Sequence, residues 1–276
     1  LDNIQKTGSF KFRGAVSKMT SISATEKEKG VVTASTGNHG AACSLAMSLL
    51  GIDGKIVVPT IVHKNKVNNI LNLGGKVEYH GDDCLIAEER AQEISKTTGA
   101  TYISPYNDPA IICGQGTMGY EIDQDLKNID SVFVSVGGGG LICGVGGYLK
   151  SVQKNVKMVA VSPKNSCVMY ESIKAEKQLD LPSDPTLSDG TAGGVEMGSI
   201  TFELCQRIID EFILVTEDEI ADGIRIGVEK HHQLIEGAAG AAIAGFMKQK
   251  DKLNGQRVVI VMCGGNISSE VLKSIL

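Results

Sequence analysis

Three short segments bring together residue types that could do chemistry. The first is Lys6-Thr7-Gly8-Ser9-Phe10-Lys11-Phe12-Arg13-Gly14. An amine set between two aromatic rings is partly desolvated, which lowers its pKa and favours the neutral, nucleophilic form needed for a Schiff base. On local context alone Lys11 also reads as an ordinary surface charge, so its neighbours in the chain must decide. The second segment is Ser35-Thr36-Gly37-Asn38-His39-Gly40, lying between an apolar run and a helical pattern. Hydroxyls, an amide and backbone N–H groups at a helix N-terminus could clasp a carboxylate, and the same string would also serve as a plain helix cap. The third is the tetraglycine Gly137-Gly138-Gly139-Gly140, directly after the apolar run ending at Val136 and before the helical pattern Leu141 to Lys150. Glycines in that place expose successive N–H groups, which suits a phosphate. A tight turn would explain one or two glycines and hardly four.

The phosphate implied is a single terminal one. The dinucleotide pattern G-x-G-x-x-G fails in either register, because Ile142 and Cys143 stand where its third glycine belongs, and no G-x-x-x-x-G-K-[ST] occurs. This speaks against a nicotinamide-dependent dehydrogenase and against nucleotide chemistry.

The elements that must position these segments alternate along the chain. Val31 to Ala34, Lys55 to Val58 and Val77 to Tyr79 read as strands, each followed by a helical pattern: Ala41 to Leu50, Lys64 to Leu73 and Cys84 to Lys96. Gly51, Gly74 and Gly99 stand where helices end. In the second half Val132 to Val136, Met158 to Val161, Phe212 to Val215 and Val258 to Met262 are strands apolar on both faces, which belong in parallel sheets covered by helices on both sides. The expectation is an α/β protein in two lobes, with doubly wound, mostly parallel sheets and ligands at the carboxyl ends of the strands. Residues 31–110 form the small domain; 1–30 and 111–276 form the large one. Asp180 to Gly198, rich in Pro, Gly, Asp and Ser, reads as a long loop of the kind that is often functional.

Composition excludes several classes. With 42% hydrophobic and 21% charged residues and a net charge of -5, the chain has a core and lacks the basic stripe of a nucleic-acid binder. Its apolar runs fall far short of the about 20 residues that cross a bilayer. Seven cysteines without C-x-x-C spacing point to a reduced, cytoplasmic protein whose thiols are mostly small buried hydrophobes. The chain begins at Leu1, already inside a motif, so an N-terminal segment is expected to be missing.

Taken in order, KTGSFKFRGA, STGNHG, GQGTMGYEI, SVGGGG, TEDEI, IEGAAG and VMCGGNIS resemble the fold type II, tryptophan synthase β-like pyridoxal-phosphate enzymes, in the branch of threonine/serine dehydratases and serine racemase. The resemblance covers essentially the whole chain. It implies that Lys11 carries the cofactor pyridoxal 5'-phosphate and that Phe10 packs on its ring. Asn38 would bond the ring hydroxyl, Gly137, Gly138, Gly139 and Gly140 would hold the phosphate, and Ser35, Thr36, Gly37 and His39 would line the substrate carboxylate. Cys263 falls near the pyridine nitrogen, where a neutral partner tunes the electron sink, and Glu236 matches an acidic position near the ring.

The reaction implied is that of an ammonia-lyase (dehydratase) acting on L-threonine or L-serine, with Lys11 removing the α-proton. Alternatives are dehydration of another β-hydroxy amino acid (3-hydroxyaspartate, a phenylserine or a solute-catabolism intermediate), serine racemisation, or a noncatalytic cofactor-binding module. Thr36 bears on racemisation: racemising relatives tend to carry serine there and many dehydratases alanine. Ser162 stands where some members place an acidic cation ligand, with Asp189 the one remaining match, so no tight divalent site is expected. The chain ends soon after CGGN, so no regulatory domain is expected. A homodimer is implied by the resemblance.

Overall fold

The computed structural model describes residues 1–62 and 64–276. It contains two compact units: Lys11–Gly114, and Leu1–Phe10 together with Gln115–Leu276.

The unit of residues 11–114 runs α1 (Lys11–Ser21), α2 (Ala24–Lys29), β1 (Val31–Ala34), α3 (Asn38–Leu50), β2 (Gly54–Val58), α4 (Lys64–Asn72), β3 (Val77–Tyr79), α5 (Cys84–Thr98), β4 (Thr101–Tyr102) and the start of α6 (Pro109–Asp125). Its sheet has the order β3-β2-β1-β4, all parallel, with Val31 opposite both Gly54 and Thr101. Successive strand residues serve opposite faces. Val31, Ile56 and Val58 pack with Ala15 and Met19 of α1, Ala42 and Ala46 of α3 and Ile70 of α4, while Val32 and Val57 pack with Ala87, Ala91 and Ile94 of α5. This two-sided burial is why the strands read as continuous apolar runs. Gly51 and Gly99 end α3 and α5 in the left-handed region, at φ 63° and 76°.

The boundary differs from the sequence expectation, which placed residues 11–30 with the larger domain. Met19 and Ala15 of α1 are fully buried against α3, so this helix completes one face of the first sheet.

The other unit continues with β5 (Ser131–Ser135), α7 (Gly140–Val152), β6 (Lys157–Pro163), α8 (Val168–Lys174), α9 (Ile200–Ile208), β7 (Glu211–Val215), α10 (Glu217–His231), α11 (Gly237–Gln249), β8 (Val258–Ile260) and α12 (Ser269–Ile275). Its four strands are also parallel, in the order β7-β6-β5-β8. Phe133, Val159 and Val161 face Ile220 and Ile224 of α10 and Ala241 and Ala244 of α11. On the other face Gly146 of α7 sits against Met158 and Ile208. Thr216 and Glu219 form a capping box that starts α10, as the Thr-Glu-Asp-Glu string signals.

β8 ends at Ile260, two residues before the expected Met262, because the chain there turns to a different partner. Met262 O accepts from Asp2 N (2.9 Å) and Asn3 N (3.1 Å), Cys263 O accepts from Phe10 N (2.9 Å), and Gly265 N donates to Gly8 O (2.9 Å). Ser9 and Gly264 form an antiparallel bridge. Residues 1–10 are thus a strap bound to the loop after β8. Among the described residues, no helix is long and apolar enough to cross a membrane.

Helices α10 and α11 cross with their backbones nearly touching: a Cβ on Gly223 would lie 2.2 Å from Gly240 O. We expect Gly223→Ala to destabilise the protein by about 1–3 kcal/mol through overpacking. Gly147→Ala, exposed in α7 with its nearest neighbour 3.9 Å away, should instead stabilise by about 0.5–1 kcal/mol. Urea unfolding of the two variants reads both signs.

Candidate active site

The residues singled out in the sequence fall into two clusters, one in each unit. In residues 11–114, Lys11 opens α1, and its amine donates to Pro105 O at 2.9 Å. Pro105 lies in the turn between β4 and α6. Ile103, one residue past β4, is fully buried, and its carbonyl accepts from Thr33 Oγ1 at 2.7 Å and from the His39 ring at 3.0 Å. Further along the turn Ser104 Oγ accepts from Asn107 N (2.9 Å), and Asp108 Oδ1 accepts from Ala110 N (2.7 Å), capping α6. Asp108 also pairs with Lys18 of α1 at 2.6 Å.

The string Ser35 to Gly40 joins β1 to α3, as its position between an apolar run and a helical pattern implies. Gly37 is the N-cap of α3 and has no side-chain cap, and Gly37 N itself donates to Ser35 Oγ at 3.2 Å. A Cβ on Gly37 would meet nothing within 4 Å, so the helix start opens outward. Gly40 is required for a different reason: a Cβ there would lie 2.4 Å from Ser35 O. Ser35, Thr36 and Asn38 are half-buried around this N-terminus. The backbone N–H groups of the first turn, lacking a side-chain acceptor, suit an anion.

His39 lies in the first turn of α3, at the helix start expected to line the substrate carboxylate, with its ring turned inward. It is 3% exposed, and a carbonyl can only accept, so its Nε2 carries the hydrogen given to Ile103 O. Cys43 Sγ lies 3.9 Å from the other ring nitrogen. Burial first, and then the Lys11 charge, depress its pKa from 6.5 to about 3. The ring is neutral and turned into the core, leaving only its backbone N–H to offer at the helix start.

In the other unit the tetraglycine joins β5 to α7. Gly139 is the N-cap at φ 86°, where glycine is favoured, and no side chain caps the helix. A Cβ on Gly137 would lie 2.6 Å from Thr191 O, and one on Gly139 2.7 Å from Cys205 Sγ. The cradle therefore exists only because these positions lack side chains. Thr191 belongs to the long loop after α8, tied down by Ser188 Oγ and Thr191 Oγ1 at 2.7 Å.

Cys263, Glu236 and Phe10 adjoin this cradle through their neighbours. Cys263 Sγ is 3.5 Å from the hydroxyl of Ser135, the last residue of β5 and two before Gly137. Burial, together with the negative charge of Glu236, pushes its pKa up to about 12, so it stays a neutral thiol. Glu236 is 3% exposed and accepts from Asn266 N at 3.1 Å. Its carboxylate lies so close to Gly264 that a Cβ there would meet Oε1 at 2.3 Å, and it is 3.5 Å from where a Cβ of Gly190 would stand. Phe10 is half-buried and held by its backbone to Cys263 O.

Several residues of these clusters were not legible in the sequence. Pro105, Thr33 and Ile103 carry no signal beyond a Ser-Pro-Tyr-Asn-Asp-Pro turn, and Ser135 and Thr191 look like ordinary polar positions. Ser162, expected at the lost cation position, donates to Val136 O at 2.6 Å. Among the described residues no group of three His, Cys, Asp or Glu is placed to hold a metal.

The two clusters thus offer, each within its own unit, an amine resting on a carbonyl, uncapped helix starts shaped by glycines, and a neutral thiol. The chain belongs to the family described as "Pyridoxal-phosphate dependent enzyme", which it matches over residues 1–264, and pyridoxal phosphate is its cofactor. It is similar to the L-threonine ammonia-lyase of Thermotoga maritima, 40% identical over 276 residues that span 100% of this chain and 68% of that protein. Among solved structures it resembles the processed form of threonine deaminase isoform 2 from Solanum lycopersicum, with a TM-score of 0.95 and 36% identity over 99% of this chain and 76% of that one. Maize serine racemase follows at a TM-score of 0.92 and 30% identity, over 99% and 84%.

Two solution properties follow from the buried groups. The unfolded chain takes up a proton at His39 below pH 6.5 that the folded chain refuses until about pH 3. The contribution of His39 to stability is thus complete above pH 6.5 and is lost as pH falls through that window, at up to about 1.4 kcal/mol per pH unit. Urea unfolding of wild type and His39→Gln between pH 7 and 4 should differ by that slope. Separately, iodoacetamide at pH 8 should alkylate the exposed Cys84 and Cys113 and spare the buried Cys263 until urea unfolds the protein; peptide mass spectrometry reads each site.

Proposed function

We propose that this chain is an ammonia-lyase that converts L-threonine or L-serine to a 2-oxo acid and ammonia. The observation that carries the reading is the pairing of full-length similarity to a threonine ammonia-lyase with a cluster whose thiol, Cys263, is held neutral. The cofactor supplies an electron sink for the carbanion formed when the α-proton leaves.

The chain's own residues are assigned as follows. Lys11 would attach the cofactor, and its amine would serve as the base for the α-proton of the substrate. The N–H groups opening α7, at Gly137, Gly138, Gly139 and Gly140, bind the phosphate, supported by the absence of any side-chain cap there. Phe10 would pack on the ring, Asn38 would bond its hydroxyl, and Cys263, a neutral thiol, would serve its nitrogen. Glu236 braces the Cys263-Gly264 loop through Asn266 N. Ser35, Thr36 and Gly37, with the backbone of His39, hold the substrate carboxylate at the uncapped start of α3. Departure of the β-hydroxyl then yields an enamine that water converts to the 2-oxo acid and ammonia.

Thr36 favours one second reading. Its half-buried hydroxyl at the open helix start is a proton carrier of the kind racemisation needs. The working form is taken to be a cytoplasmic homodimer, supported by seven free cysteines and by exposed Leu1, Ile4 and Leu234, which are 67%, 70% and 51% accessible.

The test is 2-oxo acid release from L-threonine, L-serine and L-3-hydroxyaspartate with added pyridoxal phosphate. One of the first two should turn over, Lys11→Ala should lose activity by at least about 1000-fold, and Gly137→Ala should weaken cofactor binding by about 10-fold or more. Inversion of L-serine without oxo acid would support racemisation instead, with Thr36→Ala abolishing it.

A further inference from the structure

The ring of His39 and the hydroxyl of Thr33 converge on one carbonyl. Thr33 sits in β1 and His39 in the first turn of α3, both nearly fully buried at 1% and 3%, and their donors lie 2.7 Å and 3.0 Å from Ile103 O. A carbonyl oxygen has two lone pairs, and both donors reach this one. Two residues later Pro105 O receives the Lys11 amine at 2.9 Å. The far end of the same turn is anchored too, by the Asp108 cap on α6 and its 2.6 Å pair with Lys18, which lies in the same helix α1 as Lys11.

We propose that His39 and Thr33 are positioning residues for Lys11: by donating together to Ile103 O they fix the turn whose Pro105 carbonyl holds the lysine amine. His39 then acts through the backbone of another segment and not as a side-chain ligand of the substrate. A protonated imidazolium beside the Lys11 ammonium would repel it, and the depressed pKa of His39 removes that conflict. The inference rests on the assignment of Lys11 as the cofactor-bearing lysine.

The test uses apoprotein incubated with pyridoxal phosphate, reduced with borohydride at timed intervals and mapped by peptide mass spectrometry, alongside steady-state kinetics. The variants are Thr33→Val, which keeps shape and loses the hydroxyl, His39→Leu, and His39→Gln, which keeps an N–H donor. Thr33→Val and His39→Leu are each expected to slow capture at Lys11 and to lower kcat by about 10-fold, as small misplacements of a reacting group do, with KM within about twofold of wild type. His39→Gln should recover most of both losses. A rise in KM with unchanged capture rate and kcat would overturn the proposal and return His39 to the substrate carboxylate. Unchanged values in the isosteric Thr33→Val would overturn it as well. Capture by wild type at a lysine other than Lys11 would instead sink the Lys11 assignment, and this inference with it.

Discussion

The arrangement depends above all on the backbone hydrogen bond from Phe10 N to Cys263 O. It ends the strap formed by residues 1–10 and sets the last residue before Lys11 against the loop that follows β8. The strap is held along its length by Met262, Gly264 and Gly265, so its register on that loop is specified by several bonds rather than one. Gly8 is part of the same constraint, because it sits at φ 71° and a Cβ there would lie 2.5 Å from Asn266 Oδ1. A one-residue slip would misplace Phe10 and break these pairings together.

A second theme is that two buried titratable groups, one in each cluster, are kept uncharged. His39 stays neutral through desolvation and the Lys11 charge, and Cys263 stays protonated through desolvation and Glu236. The amine of Lys11 rests on a carbonyl. In the proposed function anions would be met by the uncapped helix starts, at Gly37 for α3 and Gly139 for α7, whose partial charge is fixed in place before any ligand arrives. Electrostatic stabilisation of this kind is available without reorganising side chains.

Much of this was legible in the sequence, for physical reasons that differ by element. The strands β1, β5 and β6 were readable because two-sided burial writes a nearly uninterrupted apolar run, whereas β4, two residues long and half-buried, writes none. The glycine string was readable because four glycines exceed what a turn needs, and the structure shows contacts at Gly137 and Gly139 that no side chain could survive. Helix α1 was hidden beneath a motif rich in chemistry, and its membership in the 11–114 unit depends on Ala15 and Met19 meeting α3, a contact without local trace. The strap on residues 262–265 is pairing across more than 250 positions by backbone atoms, which leave no pattern in side-chain types. The inward turn of the His39 ring left no trace in the sequence, because it shows only in the burial of the ring and its bond to Ile103 O.

In the proposed function Lys11 is the single point of cofactor attachment among the chain's lysines. Borohydride reduction of the cofactor-loaded protein, followed by peptide mapping, tests this directly. A single phosphopyridoxyl label on the peptide containing Lys11, lost in Lys11→Ala with the fold intact, is the predicted result. A label on another lysine, or label surviving in that variant, would contradict the account.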